Sequence, residues 1–199
     1  VYKYINSTWT QLGQTIVGSG PNVYCGVFTA INAAGDIIAV SSTYTDVSYT
    51  DSGSVTIYKY NTSSSLWQQL GQTLNGPAVN AHFGFDIELN ADGYTIVIGN
   101  GDLNQCFVYR YNGTSTWTQL GNTITGATGD VLGLSVSIND AGNIVALGTL
   151  PTTIKVFSLV GSTWTILGAT IVTGAPTGRY DKLALSSDGY TVIAGEPNA

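Results

Sequence analysis

Charge is what this chain has least of. Only 9% of its 199 residues are Asp, Glu, Lys or Arg, far below the ~25% of ordinary soluble domains. Six Lys and Arg, none in a run, stand against 12 Asp and Glu and leave a net charge of −6. That balance excludes nucleic acid as a partner, because phosphate binding needs clustered cations. Histidine occurs once, at His82, and cysteine twice, at Cys25 and Cys106. One His and two scattered Cys do not make a zinc site, which takes three or four ligands, and two Cys do not make a disulfide framework. They read as buried free thiols, with a single bond between them as the alternative. Methionine is absent, so Val1 reads as the start of a processed or excised segment. The longest apolar stretches, 37–40 and 96–98, fall well short of the ~20 residues that span a bilayer, so membrane insertion is not expected. No stretch carries a helical period.

Solubility must then come from Ser, Thr, Asn, Gln and Gly. Such a polar but uncharged surface accompanies extracellular and particle-coating proteins, and the expected location is extracellular, at a cell surface or on a virion.

What the chain does have is recurrence. A tryptophan is followed four residues later by glycine four times: Trp9/Gly13, Trp67/Gly71, Trp117/Gly121 and Trp164/Gly168, at steps of 58, 50 and 47 residues. A second glycine keeps nearly the same step, at Gly35, Gly93, Gly142 and Gly189. Self-similarity at this period means stacked units that share a core.

Aligned on these glycines, the units share one grammar. An opening strand (26–32, 84–90, 133–139) runs into a tight turn such as Asn90-Ala-Asp-Gly93, whose Asp-Gly supplies the positive φ of a hairpin. A short β-branched run follows, then an aromatic strand such as Ile57-Tyr-Lys-Tyr60. After a polar turn, the fourth strand carries Trp-x-x-Leu-Gly. Four short strands every ~40–50 residues describe the blades of a β-propeller. The fold class is therefore all-β: a half-blade over 1–13, blades over 26–71, 84–121 and 133–168, and a half-blade over 180–199. Pairing of the two half-blades gives a closed four-bladed ring; the alternative is a piece of a larger ring. In either arrangement the Trp rings are expected to wedge between neighbouring blades. Ser41, Tyr180 and the run Val156-Phe-Ser-Leu159 break the pattern.

Phe83-Gly84 with Gly93 and the run Ile96-Val-Ile-Gly99 resemble the FG-GAP-like, integrin-α-type propeller repeat. Related-looking repeats with Trp117-Thr-Gln-Leu-Gly121 occur in surface proteins of algae, protists, marine bacteria and large DNA viruses. The resemblance implies adhesion or assembly without enzymatic activity. It lacks the family's calcium loops: the turns offer Asp92, Asp140 or Asp188 and little else, whereas Ca²⁺ takes six to eight oxygens. No metal and no cofactor are expected.

No catalytic set is legible. A nucleophile triad needs a base, and His82, before Phe83-Gly84, reads as a solvated connector residue. Asp86 and Glu88 share a strand face as paired carboxylates do, but an exposed pair or a structural hydrogen-bonding role suits them better. The chain is thus expected not to be an enzyme. Asn6, Asn61 and Asn112 head Asn-x-Ser/Thr sequons and are the candidate N-glycosylation sites; all lie in the turn between strands three and four, where hairpins favour such residues anyway. The loop 42–53 repeats Tyr-Thr-Asp and is the main length irregularity. Its Tyr44, Asp46, Tyr49 and Asp51 form the candidate binding loop, since Tyr with Ser, Thr and Gly makes adaptable contact surface. The expected function is a non-catalytic structural or adhesion module that binds other proteins or copies of itself. The alternative is a carbohydrate-binding propeller whose Tyr pairs stack on glycans.

Overall fold

The computed structural model describes every residue except 19, 21, 22, 48, 151, 152, 173–181 and 196–199. Within the described residues the chain forms 19 β-strands and no helix. A two-stranded hairpin, β1 (Tyr2–Ile5) and β2 (Thr8–Gln11), opens the chain. Three five-stranded antiparallel sheets follow. The first is β3 (Cys25–Ile31), β4 (Ile37–Ser42), β5 (Ser54–Asn61) and β6 (Leu66–Gln69), with β7 (Leu74–Asn75) paired to the other end of β5. The second repeats this order with β8 (Ile87–Leu89), β9 (Thr95–Asn100), β10 (Gln105–Tyr111), β11 (Trp117–Gln119) and β12 (Ile124–Thr125). The third has β13 (Val136–Ile138), β14 (Ile144–Thr149), β15 (Thr153–Val160), β16 (Thr163–Ile166) and β17 (Ile171–Val172). A second hairpin, β18 (Lys182–Leu185) and β19 (Val192–Gly195), closes the described chain. Tyr180 and the ends of the last half-blade lie outside the described residues.

The sheets pack face to face. Every residue of β9 and of β14 is buried, which is why these strands read as unbroken β-branched runs instead of alternating ones. Ile37, Ala39 and Ile57 of one sheet form a core with Ile87, Leu89, Ile96 and Ile98 of the next. A second core, with Val97, Val108, Val136 and Leu147, lies one seam further on. Each such Ile or Leu contributes roughly 1.5–3 kcal/mol by leaving water, so a charge at Val97 would break the seam.

In the three five-stranded sheets the turn before the second strand is held by one asparagine, Asn32, Asn90 or Asn139. Asn90 Oδ1 accepts the Thr95 N–H at 2.9 Å, and its backbone oxygen accepts from Gly93 N at 3.0 Å. Gly93 has φ +77°, and a Cβ there would lie 2.9 Å from Ile37 Cβ of the preceding unit. Glycine is thus required for both the conformation and the close approach.

A second device joins the outer strands. The Trp67, Trp117 and Trp164 indoles donate to the carbonyls of Leu12, Leu70 and Leu120, each at 2.7 Å. The next polar residue, Gln14, Gln72 or Asn122, accepts the tryptophan's backbone N–H.

Two expectations need correction. The half-blades do not close a ring among the described residues: β1–β2 and β18–β19 each remain two-stranded sheets. Trp9 is 69% exposed, whereas the other three tryptophans are 2–4% exposed. No described residue of a preceding unit reaches its ring, and Gly168 correspondingly has nothing within 4 Å of a built Cβ.

Candidate functional site

In the first two sheets the loop between the second and third strand is stitched to the connector that leads into the next sheet. Asn80 N donates to Thr50 O at 2.9 Å, His82 N to Asp51 O at 3.1 Å and Phe83 N to Ser52 O at 3.0 Å. One unit on, Asn104 Oδ1 accepts from Leu132 N at 2.7 Å and its Nδ2 donates to Ala127 O at 2.7 Å. Three connectors also carry a residue with positive φ two places before the strand-one glycine: Tyr24 (46°), His82 (46°) and Val131 (44°). Because it recurs, this conformation belongs to the fold. The side chain placed there differs between units, and in the middle one it is the single histidine.

His82 Nδ1 is hydrogen-bonded to the Asp102 carboxylate, contributed by the loop after β9. With the proton on Nδ1 directed at Asp102, Nε2 keeps its lone pair. The Tyr44 ring lies 4.8 Å from the imidazole, centroid to centroid, and the Tyr24 ring 5.1 Å from Tyr44. Both tyrosines are exposed. The arrangement is an imidazole oriented by a carboxylate, with two exposed tyrosines in ring contact beside it.

Of the four residues of the predicted binding loop, Tyr44 reaches the histidine. Asp46 Oδ1 accepts the Asp51 N–H at 2.7 Å, so this carboxylate fixes the shape of the loop. Asp51 takes a positive φ of 49° and supplies the carbonyl that holds His82 N. Tyr49 stands exposed on the loop.

The sequon asparagines act inside their turns. Asn61 Oδ1 accepts from Ser63 N and Ser64 N, while its Nδ2 donates to Gln68. Asn112 Oδ1 accepts from the backbone of Thr114, Ser115 and Thr116. Asn6 sits in its turn at φ 50°.

Asp86 and Glu88 join inner strands. Asp86 is buried and accepts from Val136 N at 2.9 Å and from Lys182 Nζ at 2.8 Å. Glu88 Oε2 accepts from Ile138 N at 2.8 Å, and burial raises its pKa above the ordinary value. In the next unit Ser135 and Ser137 accept from Leu183 N and Leu185 N, each at 2.9 Å. With their oxygens so engaged, the two carboxylates tie sheet to sheet. Cys25 and Cys106 are both free thiols, and burial drives the Cys106 pKa far up. Among the described residues no cluster of three or more His, Cys, Asp and Glu is placed to hold a metal ion.

The sequence reading missed Asp102, Tyr24 and Lys182. For Tyr24 a signal was present, since it aligns with His82 two places before the strand-one glycine.

No protein-family model and no curated protein matches the chain. Among solved structures it is similar to a "putative 6-phosphogluconolactonase" from Bacteroides fragilis. That match has a TM-score of 0.54 and 19% identity, over 73% of this chain and 38% of that one. The chain thus spans well under half the length of that structure. The likeness is one of fold, a propeller-like stack of antiparallel sheets.

This match runs against the expectation of a non-catalytic adhesion module that is not an enzyme, because the fold is shared with a protein described as a "putative 6-phosphogluconolactonase". The expectation rested on counting residues: a single histidine has no legible partner in the sequence, whereas the loop after β9 brings a carboxylate to it.

Proposed function

We propose that the chain carries a hydrolytic site for a small sugar lactone, with His82 as general base and Asp102 as its positioning residue. One observation carries this reading: Asp102 engages Nδ1 of the sequence's one histidine, and in the neutral form with the proton on Nδ1 the other ring nitrogen, Nε2, is a proton acceptor. That is the base half of a catalytic triad, here serving water. His82 Nε2 takes a proton from water as the water oxygen bonds to the lactone carbonyl carbon. The ring C–O bond then breaks, and the imidazolium returns the proton to the departing ring oxygen. The product is the open hydroxy acid. The faces of Tyr44 and Tyr24 supply the apolar surface on which a sugar ring rests.

The kinship in fold with the Bacteroides fragilis protein supports a lactone as substrate class. The net charge of −6 and the absence of a described cation beside His82 favour a neutral lactone over its phosphate ester. The sheets are read as an arc of a larger propeller ring, since the two hairpins stay unpaired and the chain matches only 38% of its neighbour.

Hydrolysis of glucono-δ-lactone and of its 6-phosphate, followed by pH-stat against the buffer rate, tests the reading. The expected result is a protein-dependent rate, greater on the neutral lactone. It is lost in His82→Gln and lowered roughly 10²–10⁴-fold in Asp102→Asn. Buffer rates on both lactones, or an unchanged rate in His82→Gln, overturn it.

A further inference from the structure

Two unpaired cations and two stacked tyrosines meet in the seam between the first and second five-stranded sheets. The cleft there measures about 460 Å³, and its lining includes Lys59, Asp92, Tyr94, Arg110, Tyr111 and Asn112. Tyr94 stands just before β9, whereas the loop that carries Asp102 follows it. The six extended residues of β9 therefore hold this cleft and the His82 cluster roughly 20 Å apart.

The cations here are not used by the fold in the way the others are. Lys155 and Lys182 are each paired with a carboxylate, Asp130 and Asp86. Among the described residues neither Lys59 nor Arg110 has such a partner. Lys59 Nζ donates to the Tyr94 hydroxyl at 2.7 Å, across the seam, and an ammonium has two further N–H groups to give. Arg110 is exposed, and its guanidinium is a planar fork of donors. The carboxylates of the two nearby turns serve those turns. Asp92 Oδ1 accepts from Tyr94 N at 2.7 Å, and Asp36 Oδ1 accepts from Asn32 Nδ2 at 2.8 Å.

The rings are special to this seam as well. Tyr94 and Tyr111 stack with centroids 5.9 Å apart and planes 21° from parallel, and Trp117 backs Tyr111 at 5.4 Å. In the first and third sheets the residue at the Tyr94 position is Asp36 or Asn143, and each accepts from its own turn asparagine. In the second sheet Asn90 Nδ2 donates to Asp140 O instead, at 3.0 Å. The position so released from the turn carries an aromatic ring. Arg110 lies opposite Thr95, and the matching residue of the third sheet, opposite Ile144, is Ser158. Leu159 follows it where Tyr111 follows Arg110. The next seam is thus built without a second cation or either tyrosine, so the fold does not require them.

We propose that this cleft is a binding site for a small aromatic carboxylate. The carboxylate takes charge-assisted hydrogen bonds from the Arg110 fork and the Lys59 ammonium. The flat ring lies against the Tyr94–Tyr111 pair in an offset stack. A bare anion would leave the tyrosines unused, and a neutral ring would leave both cations unused. The site shares no residue with the His82 cluster and stands apart from the lactone reading.

Calorimetric titration with 2-naphthoate, its neutral analogue 2-naphthamide, and glucuronate tests the proposal. The expected result is saturable binding of 2-naphthoate, about tenfold or more tighter than that of the amide or of the saturated acid. Arg110→Gln and Tyr94→Ala each weaken it by about tenfold or more. The Arg110→Gln protein keeps its circular dichroism spectrum, because the side chain is exposed. Tyr44→Ala, in the other cluster, leaves the affinity unchanged. Absence of saturable 2-naphthoate binding overturns the proposal, as does equal or tighter binding of the amide or of glucuronate. So does an affinity indifferent to Arg110→Gln, or one lost in Tyr44→Ala.

Discussion

Trp117 donates its indole N–H to the carbonyl of Leu70 at 2.7 Å, across the seam between two sheets. Gln72 receives the Trp117 backbone N–H at 2.9 Å and donates to the Trp117 carbonyl at 2.7 Å. Three hydrogen bonds and one ring therefore depend on Leu70, Gly71 and Gln72 standing in that order. The same order stands at Leu12-Gly13-Gln14, and at Leu120-Gly121-Asn122 with the shorter amide. The recurrence of Trp-x-x-Leu-Gly is thus the recurrence of a seam.

Substitution at the two partners separates the parts of this lock. Trp117→Phe leaves the Leu70 carbonyl without its donor and is expected to cost about 1–3 kcal/mol in urea unfolding. Gly71→Ala places a Cβ 2.7 Å from the indole at φ +77°. Backbone strain alone is roughly 1–2 kcal/mol, and displacement of the ring adds to it. Gly168→Ala is the control, since Gly168 has φ +75° but nothing within 4 Å. Equal losses at Gly71 and Gly168 would show that the seam is not close-packed.

The local grammar was legible because it is written locally. Asn90 and Gly93 make one turn three residues apart, and the β-branched run after them forms a strand wherever both its faces are covered. What crosses between units was not legible. His82 and Asp102 are 20 residues apart, and Asp86 and Lys182 are 96 apart. Nothing in their spacing announces that loops from two units meet. Trp9 shows the same limit from the other side: its motif matches Trp67, but only the unit before it determines whether its ring is buried. The period places a residue in its unit and leaves its neighbours open.

The ion pair between Asp86 and Lys182 is expected to behave asymmetrically. The Asp86 side chain is 6% exposed and that of Lys182 64%. Lys182→Met removes a largely solvated charge and should change stability by under about 1 kcal/mol. Asp86→Ala strips the acceptor from the Val136 and Ile87 N–H groups at buried positions and should cost about 2–4 kcal/mol. Denaturant midpoints of the two variants, measured side by side, check the order. A larger loss at Lys182 would show that charge, and not the backbone donors, holds this seam.

The two thiols should differ sharply toward a thiol reagent. The thiolate is the reactive form, and burial pushes the Cys106 pKa far above its ordinary value while shielding the sulfur. Cys25 is only partly covered. Native protein is therefore expected to label at Cys25 alone, and protein in urea at both. Rapid native labelling of Cys106, read by peptide mass, would place it nearer the surface than β10 allows.

Glu88 should make the fold less stable as pH rises. Burial is the largest influence on it and raises its pKa above the ordinary 4.5, outweighing the lowering by Ser137 and the Ile138 N–H. A carboxyl whose pKa is higher folded than unfolded binds its proton more tightly in the native state. Its contribution is fully present below pH 4.5 and is lost as pH climbs through the raised value. Glu88→Gln keeps an oxygen for Ile138 N and has no proton to lose. The variant should therefore gain on the parent protein as pH is taken from about 4 to about 7, with the difference levelling once Glu88 is fully ionised. Thermal melts of both proteins across that range give the answer. A parent protein that instead gains on the variant with rising pH would mean that the ionised carboxylate, held by Ile138 N and Ser137, is the favoured form.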